Sequence, residues 1–132
     1  VGKSIYYHKN KLAHMVLSLK PFGCMPSTQS DGTQAAVQGR YGDMIFLPIE
    51  TSGEGEVNAH SRVQMALGEA KEKARNEFQD ALKKTGLTIE RAKEYIGKNP
   101  VLKRPSYHIP KREDAVGIAA NTIYHIAELA TT

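Results

Sequence analysis

The chain carries one cysteine, no tryptophan, few aromatic residues and no extended apolar run. A single cysteine in 132 residues excludes an internal disulfide and fits a reducing compartment, so a cytoplasmic location is expected. A lone thiol also cannot complete a metal site without ligands from outside the chain. Nothing approaches the ~18 apolar residues of a membrane span, and no signal peptide is visible. The net charge is +4, yet no basic run exceeds two residues. Aromatic residues do not interleave with the basic ones, as a base-stacking surface requires. Solvated helix faces account for the charge, and neither nucleic acid nor membrane is expected as a partner. Repeats and low-complexity tracts are absent too. Length and the 40% hydrophobic content suit one ordinary globular domain. The chain opens on Val1 rather than Met, and we expect it to be a piece of a longer protein.

The stretch from Met15 to Arg62 organises the remainder. Two short apolar runs, Met15–Leu19 and Met44–Ile49, are each closed by an unusual loop. Short unbroken apolar runs bounded by Gly and Pro suit strands buried on both faces. The connection between them has room for a helix, and a parallel crossover needs at least ~10–12 residues. The expected architecture is therefore α/β: a βαβ core with parallel strands and flanking helices. Both loops would leave the carboxyl edge of the sheet, where open parallel sheets bind ligands. Ser27 to Gln29, or Asp31, can cap the intervening helix, and Asn58 can cap the next. That next helix, 58–83, is the clearest element. Val63, Ala66, Leu67, Ala70, Ala74, Phe78, Ala81 and Leu82 recur at three- and four-residue steps, and Gly86 stops it. Thr88 opens a further short helix. Asn99 to Pro110 is a proline-rich loop with at most an extended piece at Tyr107–Ile109. Residues 115–130 read as a buried helix. Val1 to Asn10 is either a helix tail or a short edge strand. The expected domain is a single one, 1–132, with strand-loop-helix units 15–40 and 44–83 and a helical region 87–130. Two strands are few for a sheet, so we expect further strands from the rest of a parent chain.

Three features can carry chemistry. Cys24 lies on a constrained Pro-Phe-Gly-Cys-Met-Pro turn just before a helix start, a setting that lowers a thiol pKa. Such a thiolate can ligate iron or zinc, or act as a nucleophile. The competing reading is a small buried apolar residue. Glu50, Glu54 and Glu56 crowd the second loop beside Gly53 and Gly55, and can bind a cation or supply a general base. The spacing matches no calcium loop, and a solvated loop whose acids favour the following helix is the preferred reading of the spacing. His60 and Arg62 open the long helix and can hold an anionic group, or simply face solvent. No phosphate loop is present, the other histidines lack metal-ligand spacing, and no Ser/His/Asp set is arguable.

These same residues carry a resemblance. KPFGCMPS, SDGTQAAV and MIFLPIETSGEGEVNAHSRVQMAL are similar to the C-terminal region of proteins related to the 2-hydroxyglutaryl-CoA dehydratase activators. These are the CoA-substrate-specific enzyme activases of the benzoyl-CoA reductase and hydroxyacyl-CoA dehydratase group. The closing HIPKREDAVGIAANTIYHIAEL resembles the end of that region. The resemblance implies a flavodoxin-like arrangement joined to an ATPase domain of the actin and sugar-kinase superfamily. It implies ATP-driven electron transfer through iron–sulfur clusters to a dehydratase acting on an acyl-CoA. The cysteine of a Phe-Gly-Cys turn is similar to a cluster ligand, which falls on Cys24, with a 4Fe-4S cluster in the full-length parent. This chain has no nucleotide-binding domain and only one thiolate, so other ligands must come from elsewhere, and no cofactor is expected in the isolated piece. Ser27, Glu50, Ser52 and Gly53 would line the pocket, and Asn58, His60 and Arg62 would orient it. No catalytic residue is assigned. The alternative is a non-catalytic interaction or scaffolding module with Cys24 inert and helix 58–83 as a docking face.

Overall fold

The protein is described here by a computed structural model that covers residues 1–51 and 55–131. Ser52, Gly53 and Glu54 of the acidic loop lie outside the described residues, so the readings placed on them have no structural counterpart. The described chain is mixed α/β. In order it forms α1 (Gly2–Lys9), β1 (Met15–Pro21), α2 (Met25–Arg40), β2 (Ile45–Thr51), α3 (Glu56–Thr85), α4 (Ile89–Lys98), a 3-10 turn at Pro100–Lys103, and α5 (Ile118–Thr131). Among the described residues no helix is long and apolar enough to cross a membrane.

The chain divides into two compact units, Val1–Lys73 and Ala74–Thr132. The sheet belongs to the first. β1 and β2 pair in parallel, in register from Met15 opposite Ile45 to Pro21 opposite Thr51. The intervening α2 makes the crossover that parallel pairing demands. Among the described residues the sheet has these two strands alone. The N-terminal decapeptide is helical, which settles that open choice, and Tyr107–Ile109 adds no strand. In the first unit Met44, Ile45, Ile49 and Ala70 are buried.

Two expected helix starts are corrected. α2 begins at Met25 rather than at Ser27 or Asp31, with Cys24 as the N-cap residue. Pro26 suits this first turn, where a missing amide hydrogen costs nothing. α3 begins at Glu56, so Asn58 lies inside the first turn instead of capping it. The Ala59 amide donates to the Gly55 carbonyl, which already starts the helical ladder there. By contrast, the Thr88 hydroxyl does accept from the Arg91 amide, as a cap should. Gly86 takes a φ of +67°, the left-handed backbone that ends α3 without a Cβ penalty.

The second unit packs around small side chains. Ala81, Ala92, Ala115, Ala120, Ile123 and Ile126 are buried together, bordered by Phe78, Leu82 and Tyr95 among others. The polar loop leading into α5 is tied down from two sides. The Glu77 carboxylate accepts from the amides of Val116 and Gly117, satisfying donors that precede the first turn of α5. Buried Asn121 accepts from the Arg112 amide at 2.8 Å and donates to the carbonyls of Ala115 and Gly117. α5 therefore starts at Ile118, three residues later than the apolar pattern implies, because Ala115 to Gly117 are held as a loop.

Asn121→Ala removes three hydrogen bonds of a buried side chain. We expect the second unit to lose about 2–3 kcal/mol, the scale of leaving buried backbone groups unpaired. The measurement is the urea midpoint followed by circular dichroism, and an unchanged midpoint refutes the role given to Asn121.

Candidate functional site

The register sets Lys20 directly opposite Glu50 at the carboxyl edge of the sheet. Lys20 is the unusual residue here. It is a lysine only 7% exposed, which a protein tolerates when the charge is paired. Its ammonium lies 2.8 Å from Asp31 Oδ2 of α2 and 2.9 Å from Glu50 Oε1 of β2. The Asp31 carboxylate, and then that of Glu50, hold the lysine above its ordinary pKa against the opposing effect of burial. The Thr51 hydroxyl also donates to the Lys20 carbonyl at 3.2 Å.

A cavity of about 340 Å³ opens over this ion-pair cluster. Lys20, Asp31 and Glu50 line it from the sheet and α2, and Asn58 and Arg62 line it from the first turns of α3. Arg62 is already engaged, donating from Nη2 to the Pro48 carbonyl at 3.0 Å. A second groove of about 410 Å³ adjoins it, lined by Leu19, Ile49 and Val63 with His60 at its margin.

Cys24 sits in the loop between β1 and α2. Gly23 before it has a φ of +73°, which a side chain would oppose, and lets the chain turn sharply into the helix. Cys24 itself is extended and half-buried at the N-cap position. Its Sγ is 3.0 Å from Ser27 Oγ. The Ser27 hydroxyl lowers the thiol pKa most, the Ser27 amide adds to it, and the Lys20 charge contributes at longer range. The positive end of α2 acts in the same direction.

Of the residues singled out in the sequence, the structure brings Cys24 and Ser27 into contact. Glu50, Asn58 and Arg62 share one cavity, and His60 belongs to the adjoining groove. Cys24 and Ser27 are not among the described residues lining that cavity; Lys20 connects them to it through its charge. Sequence reasoning missed Lys20 and Asp31. The available signal was a lysine ending an apolar strand just before a proline, with an acid one helical segment later. Among the described residues no group of three or more His, Cys, Asp or Glu side chains is placed to hold a metal ion. No protein-family model, curated protein or solved structure matches the chain.

Two outcomes follow from these contacts. The Cys24 thiol should alkylate with an apparent pKa below the ordinary 9.0, and Ser27→Ala should move it upward. Rates of iodoacetamide labelling against pH measure both, and a midpoint at or above 9.0 in the parent chain removes the premise. Lys20 binds its proton more tightly folded than unfolded. Its contribution to stability is thus fully present below the unfolded value near 10.5 and is lost as pH rises through the higher folded value. The stability advantage over Lys20→Met should therefore shrink as pH rises into that alkaline range, as read from denaturant midpoints at successive pH values.

Proposed function

We propose that this chain is a C-terminal part of an activator/dehydratase-related protein, in which Cys24 supplies one thiolate to a 4Fe-4S cluster or lines an acyl-CoA crevice. On this reading the βαβ unit is the core of a flavodoxin-like arrangement, completed by strands of a longer parent. The parent is a cytoplasmic protein whose ATPase domain drives electron transfer to a 2-hydroxyacyl-CoA dehydratase. The carrying observation is Cys24 itself, half-buried at the N-terminus of α2 with a lowered pKa, because the thiolate is the form that ligates iron. The resemblance of KPFGCMPS and its neighbours supports the assignment.

The residues of this chain do not by themselves fit a complete cluster. One cysteine sulfur is present, and no acid or histidine joins it in a metal-ready group among the described residues. The chain's own contribution is limited to holding that sulfur. Gly23 gives the turn, α2 its positive end, and Ser27 a hydroxyl against the thiol. Ser27 and Glu50 would then border the crevice, and Asn58, His60 and Arg62 would orient what enters it. The roles of Ser52 and Gly53 in that lining stay part of the proposal. The isolated chain is expected to be free of cofactor.

The rival reading is an interaction module. It is favoured by the exposure of the large apolar side chains of Leu19, Phe22, Met25, Val57 and Met65. Anaerobic reconstitution of the full-length protein separates the two. We expect Cys24→Ser to cut iron content and visible charge-transfer absorbance sharply relative to the parent. Equal iron in both proteins, or none in either, defeats the cluster role and leaves the interaction module.

A further inference from the structure

α2 is seated on the sheet by polar side chains. Ser27, Asp31, Gln34 and Gln38 recur at three- and four-residue steps and so share one face of the helix. That face is the inward one. Gln34 is 1% exposed and is the buried residue of α2. The Asp31 carboxylate meets the Lys20 ammonium at 2.8 Å, and Gln38 Nε2 donates to the Phe46 carbonyl at 3.1 Å. The apolar side chains point the other way. Met25 is 71% exposed, Ala35 and Ala36 are exposed, and Val37 is half-buried. A helix that covers a sheet ordinarily turns its apolar stripe inward, and here that order is inverted.

The docking is weak in its parts. Gln34 Nε2 faces Met44 Sδ at 3.6 Å, a poor acceptor, and Gln34 Oε1 has no hydrogen-bond partner among the described residues. A buried amide left half-paired subtracts from the stability of the contact. The helix is weak in itself too. Gly32 lies in its interior, among Ser, Thr and Asp residues of low helix propensity. A Cβ added at Gly32 meets nothing within 4 Å, so no close approach requires a glycine there. Among the described residues the one charged tie from α2 to the sheet is Asp31 to Lys20. By contrast, Ile45 and Ile49 of β2 and Ala70 of α3 are buried. Segments with few buried apolar contacts open at a fraction of the global free energy.

We propose that α2 is a movable wall of the cavity at the carboxyl edge, unfolding locally while β1, β2 and α3 stay formed. Asp31 lines that cavity from α2, whereas Lys20 and Glu50 line it from the strands and Arg62 from α3. When α2 opens, Asp31 leaves and the cavity loses that wall. Lys20, 7% exposed in the closed form, then meets solvent with Glu50 as its remaining carboxylate. The charges lining the closed cavity among the described residues balance, two positive against two negative. Loss of Asp31 leaves the open form positive by one charge. Asp31 thus acts as an internal anion, held against the buried ammonium until the helix lets go. This inference does not depend on Cys24 or on any cluster.

Native-state amide hydrogen exchange on the 132-residue chain tests it. Relative to intrinsic rates, the hydrogen-bonded amides of α2 should exchange at least about tenfold faster than the amides that pair β1 with β2. Gly32→Ala favours the helix without touching a neighbour. It should slow α2 exchange about two- to fivefold and leave the strand amides unchanged. Asp31→Asn weakens the tie to Lys20 and should speed α2 exchange. Should that variant fail to fold, the parent chain and Gly32→Ala decide the matter. Equal protection of α2 and the strands overturns the proposal, because the helix then opens only with the whole unit. A Gly32→Ala substitution that slows helix and strands alike, or neither, overturns it as well, and so does unchanged α2 exchange in a folded Asp31→Asn chain.

Discussion

The buried ammonium of Lys20 is the constraint on which the first unit turns. An unpaired charge there would be costly, so two carboxylates must arrive from different elements. Glu50 comes from β2 through strand register, and Asp31 comes from α2. The pairing therefore links the strand, its neighbour and the crossover helix at one point. It also fixes which end of the sheet is polar. The cavity, Glu50 and the cysteine turn gather at that end because the parallel register delivers both strand ends there together.

The same charge reaches the cysteine. Lys20 is four residues from Cys24 in sequence, and its field adds to that of the Ser27 hydroxyl and the start of α2. Three modest effects of one sign act on a single sulfur. None requires a metal, and none by itself identifies one. Together they hold the thiol pKa below its ordinary value at the carboxyl edge of a parallel sheet, where burial in apolar surroundings would raise it.

Much of the first unit can be read directly from the chain. Unbroken apolar runs closed by Gly and Pro mark both strands, and three- and four-residue spacing marks α3. Helix starts were harder. Ser27 and Asn58 look like caps by residue type, but Pro26 and the Gly55 carbonyl begin their helices earlier, and propensity cannot rank neighbouring caps. Lys20 and Asp31 were missed for a different reason. Their partnership spans an entire helical turn and a strand end, and only tertiary structure brings the two together. The start of α5 shows the same effect. Its apolar pattern begins at Ala115, yet Glu77 and Asn121 claim the backbone groups that helix would use.

A parallel pair of strands is an incomplete object. Such sheets are stable when covered on both faces and extended beyond two strands. In this chain the incompleteness has a direction. The Phe46 and Pro48 carbonyls are spent on Gln38 and Arg62, and Pro48 withholds a donor, so nothing is gained by adding a strand beside β2. Beside β1 the stretch Met15 to Leu19 carries no charge, the ammonium of Lys20 is committed elsewhere, and only at its end does Pro21 withhold a donor while its carbonyl accepts from the Cys24 amide. The cluster that organises the carboxyl edge thereby also leaves the neighbouring strand open. Polar order at one end of the sheet and an accepting edge along its side are thus two consequences of where a single lysine points.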